Sequence, residues 1–114
     1  MKALPRVEKT DGRWQLTVDG RPMLLFSGEI HNSSASSAAY MDECVWPYLR
    51  PLHMNAVIAP VYWQLLEPRE GEFDFALIDA LIDQARREQM RLVLLWFGLW
   101  KNGESTYAPD WVKR

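Results

Sequence analysis

Residues 56–97, AVIAPVYWQLLEPREGEFDFALIDALIDQARREQMRLVLLWF, decide the fold. The stretch opens on a continuous apolar run, Ala56-Val57-Ile58-Ala59-Pro60-Val61, and closes on another, Leu92-Val93-Leu94-Leu95-Trp96-Phe97. Runs of that kind, without polar alternation, fit strands buried on both faces of a parallel sheet. Between them Leu77, Ile78, Leu81, Ile82 and Ala85 recur on one face of a 3.6-residue period, the mark of an amphipathic helix. Asp74 is placed to cap that helix, and Asp83 with Arg87 forms an i,i+4 pair on its polar side. The order is strand, helix, strand, which calls for a parallel pair with a helical crossover.

Outward from this unit the same grammar continues. Upstream, Leu24 to Ile30 reads as another buried strand, followed by the small polar run 31–37 and a helical stretch between Ala38 and Met54. In that stretch Val45, Leu49 and Leu52 share a face with Tyr48 beside them. Pro47 suits the first position of a new helix after a short turn to Cys44, whereas Pro51 has no evident place. Before it, Trp14-Gln15-Leu16-Thr17-Val18 alternates, Asp19-Gly20 is a two-residue turn signal, and Met23 to Phe26 returns as the second arm of a hairpin. Downstream, Pro109-Asp110-Trp111 reads as the start of one more helix, in which Arg114 already lies.

The expected fold class is therefore α/β: an N-terminal hairpin followed by three β/α units. Two architectures fit them. One is a small three-stranded α/β sandwich. The other is the opening of a (β/α)8 (TIM) barrel, which takes about 250 residues against the 114 here. Periodicity does not separate them, but the loops do. The loops after the strands (28–37, 61–75 and 98–109) concentrate Glu29, His31, Asn32, Tyr62, Trp63, Gln64, Glu67, Trp100, Lys101, Asn102 and Glu104. Those at the other end, around Asn55 and Gln89 to Arg91, are short and plain. A barrel divides its catalytic and stability faces in this way.

Composition excludes several functions. The net charge of −2 and the scattered Lys and Arg leave no basic stripe, so nucleic acid is not an expected partner. No apolar run reaches membrane-spanning length, and residues 1–13 hold no signal-peptide core, which makes the cytoplasm the expected address. The one cysteine, Cys44, has no internal partner and no metal-type spacing around it, so neither a metal nor any other cofactor is expected. It reads as an inert thiol. Six Trp are an unusual number, and packing accounts for most of them, Trp14, Trp46 and Trp111 in particular.

The loop motifs resemble a known group. Gly28-Glu29-Ile30-His31 is similar to the segment that opens the barrel in family 35 β-galactosidases. Asn55-Ala56-Val57, Trp63 and Glu67-Pro68-Arg69-Glu70-Gly71-Glu72-Phe73-Asp74-Phe75 resemble their second unit, a pattern largely shared with family 42. The stretch from Leu94 to Glu104, with Ser105 to Val112 behind it, is similar to a subgroup of bacterial β-galactosidase-like proteins. The resemblance runs from about Gly20 to Arg114 and departs in two places. Pro60 stands where the family usually has a Tyr, and Trp96-Phe97-Gly98-Leu99-Trp100 replaces Arg-Pro-Gly-Pro-Tyr.

The resemblance implies a retaining glycosidase acting on β-galactosides or related glycosides through two glutamates, one attacking carbon and one moving a proton. Those glutamates follow the fourth and seventh strands of the family's barrel, and no glutamate here matches either motif. Residues 1–114 then read as one partial catalytic barrel, with 1–26 as the N-terminal segment and hairpin and 27–114 as three β/α units. No catalytic residue is assigned within it. Glu104 falls where the family has a substrate-binding Glu. With Trp100 and Asn102 it makes the leading sugar-binding cluster, an aromatic face beside an amide and a carboxylate. Tyr62, Glu29 and His31 complete the expected substrate-binding set. Glu67 reads as a loop brace, and His31 also suits a local hydrogen-bonding role. The competing reading is a self-contained, non-catalytic carbohydrate-binding or interaction module.

Overall fold

The structure is a computed structural model describing residues 3–113. Strands β1 (Arg6–Thr10), β2 (Arg13–Val18) and β3 (Arg21–Met23) form one antiparallel sheet in the order β1-β2-β3. Strands β4 (Ser27–Glu29), β5 (Ala56–Tyr62) and β6 (Arg91–Phe97) form a second sheet, parallel throughout, in the order β4-β5-β6. Helical segments cross between the parallel strands. The first crossover holds α1 (Ala38–Tyr40), a π turn (Met41–Val45), α2 (Trp46–Leu49) and a closing 3-10 turn (Arg50–Leu52). The second holds α3 (Trp63–Leu66) and α4 (Ala76–Arg87).

The expected hairpin is thus one arm of a three-stranded meander. β1 escapes pattern reading because charged residues stand at Arg6, Glu8 and Lys9, and its pairing with β2 stabilises it instead. Glu8 accepts a hydrogen bond from Thr17 Oγ1 at 2.6 Å and pairs with Arg6 at 3.0 Å. The buried strand expected over Leu24 to Ile30 is corrected as well. β3 ends at Met23, β4 begins at Ser27, and Leu24, Leu25 and Phe26 form an exposed link between the sheets. Asn55 supplies what a ladder would have. Its Nδ2 donates to Leu24 O at 2.7 Å, its Oδ1 accepts from Phe26 N at 2.9 Å, and its own N–H donates to Phe26 O at 3.0 Å. Satisfied backbone groups need no neighbouring strand.

The first crossover shows how two prolines fit one helical run. Pro47 has no N–H, so an ordinary α-helical bond to residue 43 cannot form there. The turn before it widens into a π turn, in which Trp46 N–H donates to Met41 O. Pro51 lies in the 3-10 turn that ends the run, and His53 follows at φ 53. Leu52 and Tyr48 are exposed, contrary to the expected apolar face, while Met41, Val45 and Trp46 take the buried side.

α4 packs on the same core through Leu81, Gln84 and Ala85, with Asp74 accepting from Ala76 N at 2.9 Å at its start. Trp46 is fully buried and donates its indole N–H to Gln84 Oε1 at 2.9 Å, while Gln84 Nε2 donates to Ala38 O at 2.9 Å. One amide therefore satisfies groups on both crossovers. The polar side of α4 differs from expectation. Asp83 pairs with Arg86, and Arg87 reaches across to Asp42. Arg50 grips Glu88 through two bonds of 2.6 and 2.8 Å and holds its carboxyl below the usual carboxylate range. Met41, Trp46, Val57, Ala59, Leu81 and Phe97 make the centre of the core. β6 departs from the doubly buried reading, because it is an edge of the described sheet and Val93, Leu94 and Trp96 are exposed. Trp14, expected in packing, is 70% exposed across from Lys9. Among the described residues no helix is long and apolar enough to cross a membrane.

Candidate functional site

Parallel strands send all their C-terminal ends one way, so the segments after β4, β5 and β6 gather on one side of the sheet. The first of these, residues 30–37, is a tight polar turn. Ser34 N donates to His31 O at 3.0 Å, Ser36 N and Oγ both donate to Ser33 O, and Ser37 Oγ accepts from Tyr40 N to start α1. Backbone groups are closed within the turn itself. Beside it lies an open cleft of about 1090 Å³, lined by Glu29, Ile30, His31, Asn32, four serines, Tyr40 and Asn102.

The segment after β5 is held by Glu67. Its Oε2 accepts from the Trp63 indole at 2.7 Å, and its Oε1 accepts from Gly71 N at 2.9 Å. Its backbone carbonyl accepts from the Trp111 indole at 3.0 Å. Trp63 stands edge-on to Trp111 at 5.9 Å and lies 6.2 Å from Trp96. Trp96 in turn requires Gly98, because a Cβ there would stand 2.8 Å from the Trp96 indole nitrogen.

The segment after β6 is a hairpin. Lys101 and Ser105 exchange backbone bonds of 2.9 and 3.2 Å, and Asn102 and Gly103 turn the chain at φ 57 and 77. Asn tolerates this left-handed region better than most residues, and Gly enters it freely. Tyr107 N–H donates to Gly98 O and Gln64 N–H donates to Tyr107 O, which ties the hairpin's base to the neighbouring segment. The Lys101 ammonium lies 3.5 Å from Glu29 Oε1 and 4.8 Å from the centre of the Phe97 ring.

The six residues singled out from the sequence therefore separate. Glu29, His31 and Asn102 come together on the cleft. Trp100 and Glu104 sit exposed on the hairpin. Tyr62 is in the core, 3% exposed, with its ring against Phe97 and Tyr107. Its hydroxyl is a buried polar atom without a hydrogen-bond partner, and burial pushes it up to about 12. Sequence reasoning missed Lys101 as the cation that faces Glu29, and also the serines and Tyr40 of the cleft lining. The serine run was visible as a loop, but only the turn's fold shows that it forms a wall. Among the described residues no three His, Cys, Asp or Glu side chains converge as a metal site requires.

A solved structure, the exo-β-1,4-mannosidase Op5Man5 from Opitutaceae bacterium strain TAV5, shares this fold. It superposes with a TM-score of 0.64 at 21% identity, over 81% of this chain and 18% of that one. A β-galactosidase from Xanthomonas manihotis is 31% identical over 103 residues, covering 81% of this chain and 17% of its own length. The chain thus spans under a fifth of either relative. The signature of glycosyl hydrolases family 35 matches residues 15–110, nearly the whole sequence. The chain belongs to glycosyl hydrolase family 35.

Proposed function

We propose that residues 27–114 are the first three β/α units of a (β/α)8 barrel in a retaining glycosidase acting on β-galactosides or related glycosides, and that they hold the sugar while other residues break the bond. The observation that carries this reading is the convergence of Glu29, His31 and Asn102, from two separate loops, on one cleft at the C-terminal ends of parallel strands. A carboxylate, an imidazole and an amide are suited to hydroxyl groups, and Trp100 offers an exposed flat apolar face on the same hairpin as Asn102. The β-galactosidase relative supplies the substrate class.

Retaining chemistry needs two carboxylates roughly 5 Å apart, one attacking and one carrying a proton. Both oxygens of Glu67 are occupied, by the Trp63 indole and the Gly71 amide, and Glu29 faces the Lys101 ammonium. These glutamates brace and bind. The reading therefore assigns nucleophile and acid/base to carboxylates outside residues 1–114, and the isolated chain should not turn over nitrophenyl galactosides.

A titration of the isotope-labelled chain with methyl β-galactoside tests the binding role. Amide shifts confined to Glu29, His31 and residues 100–104 are expected. Glu29→Gln should weaken the response by about tenfold or more, since a bond to a charged group contributes roughly 1.5–3 kcal/mol. No site-specific shift, or a response equal with an unrelated polyol such as sorbitol, would remove the sugar from the cleft.

A further inference from the structure

We propose that Lys101 is a positioning residue that fixes the gap between the first and third loops and thereby sets Asn102 at the cleft. The inference rests on the sugar-binding reading above. The hairpin is secured at its base by the backbone bonds of Tyr107 with Gly98 and Gln64, and closed on itself by the backbone bonds between Lys101 and Ser105. Neither set ties it to the first loop. The Lys101 side chain does so, because its ammonium lies 3.5 Å from the carboxylate of Glu29, the last residue of β4.

The anchor is held on a second side by the Phe97 ring, 4.8 Å below the ammonium, and Phe97 is 1% exposed in the core. The side chains of Lys101 and Glu29 are 27% and 45% exposed, so the pair is partly open to solvent and the ring contact adds to it. The next residue, Asn102, lines the cleft together with Glu29 and His31. Its backbone is turned at φ 57, so its direction follows from where Lys101 is pinned. The ion pair also orients Glu29, leaving Oε2 as the oxygen not facing Lys101. One side chain thus orders a residue on each wall of the cleft.

The test uses the whole 114-residue chain with two substitutions and three readouts. Lys101→Met keeps the aliphatic stem and removes the charge, whereas Lys101→Arg keeps the charge. Lys101→Met should weaken methyl β-galactoside binding by about five- to tenfold, the scale of a partly exposed ion pair with a cation–π contact. Backbone relaxation should show residues 101–105 becoming more mobile, with the melting temperature falling by no more than about 8 °C. Lys101→Arg should restore binding and relaxation to within about twofold.

A Lys101→Met variant with the hairpin as rigid as in the parent overturns the proposal. So does one that binds as tightly as the parent. If the unaltered chain binds no galactoside, the functional reading fails. The relaxation data then still judge the anchor, for it or against it.

Discussion

β5 and β6 are neighbours of the same length, seven residues each, and both were read as continuous apolar runs, yet they live in different environments. β5 is buried at six of its seven positions, whereas β6 is buried only at Phe97. The difference is one of place, since β5 has a strand on each side and β6 has one. The loops that follow them differ in the same sense. The loop after β5 is cross-braced by Glu67 to an indole and an amide, while the hairpin after β6 is fixed at its base and reaches the first loop through one ammonium. An apolar run specifies a strand, but its position in the sheet specifies how much of it water sees.

The contrast can be broken most sharply at Val57, the second residue of β5, which is fully buried. Val57→Asp places an unpaired charge in the core and should cost more than about 4 kcal/mol, much of what holds a small domain together. Circular dichroism should show the chain unfolded or melting far lower. A variant that melts like the parent would show that β5 is not a core strand.

Glu67→Ala comes next. It removes two hydrogen bonds to a charged acceptor and should cost about 2–3 kcal/mol by thermal melting, with indole fluorescence changing as Trp63 loses its partner. If stability held and only sugar binding fell, Glu67 would belong to the site and not to the brace.

Tyr62 closes β5 with a buried hydroxyl whose proton is released only near pH 12, against an ordinary value of 10.0. Above pH 10 the unfolded chain can ionise this group while the folded chain holds it neutral. Its contribution is therefore fully present below pH 10 and is lost as pH rises towards 12. Tyr62→Phe removes an unpartnered polar atom, so stability at pH 7 should stay level or rise by up to about 1 kcal/mol. The alkaline decline should flatten in denaturant titrations at pH 9 and 11. A decline of parental steepness would place its cause elsewhere.

The smallest effect is expected in β6. Leu94 is 46% exposed, and Leu94→Lys should change the isolated chain's stability by no more than about 0.5 kcal/mol. A loss several times larger in urea unfolding would mean that another surface covers β6 in solution.

Much of this was legible in the residues. The 3.6-residue period found α4, and the apolar runs found β5 and β6 with the right order between them. Three kinds of feature were not. β1 is held by its partner strand, so no period of its own announces it. Leu24 to Phe26 looked like strand because the run is apolar, but Asn55 meets the backbone's needs from far along the chain, and pattern reading cannot see that. Arg87 found Asp42 instead of Asp83 because the tertiary partner lies on another helix. In the site, residue types were readable but convergence was not. Glu29, His31 and Asn102 share a cleft, Tyr62 went to the core, and Lys101 became visible only once two loops were side by side.

Both helical crossovers leave their last turn through a residue in the left-handed region that is not glycine, His53 at φ 53 and Gln89 at φ 57. Each then enters the next strand within a few residues, at Ala56 or Arg91. A side chain in that conformation costs about 1–2 kcal/mol, and a glycine's freer unfolded chain returns about 0.4–1 kcal/mol of any relief. The two positions are thus an engineering reserve at the end of the sheet away from the cleft. A protein engineer could draw on it to offset destabilising changes made in the binding loops, because nothing at His53 or Gln89 reaches the residues that would hold a sugar.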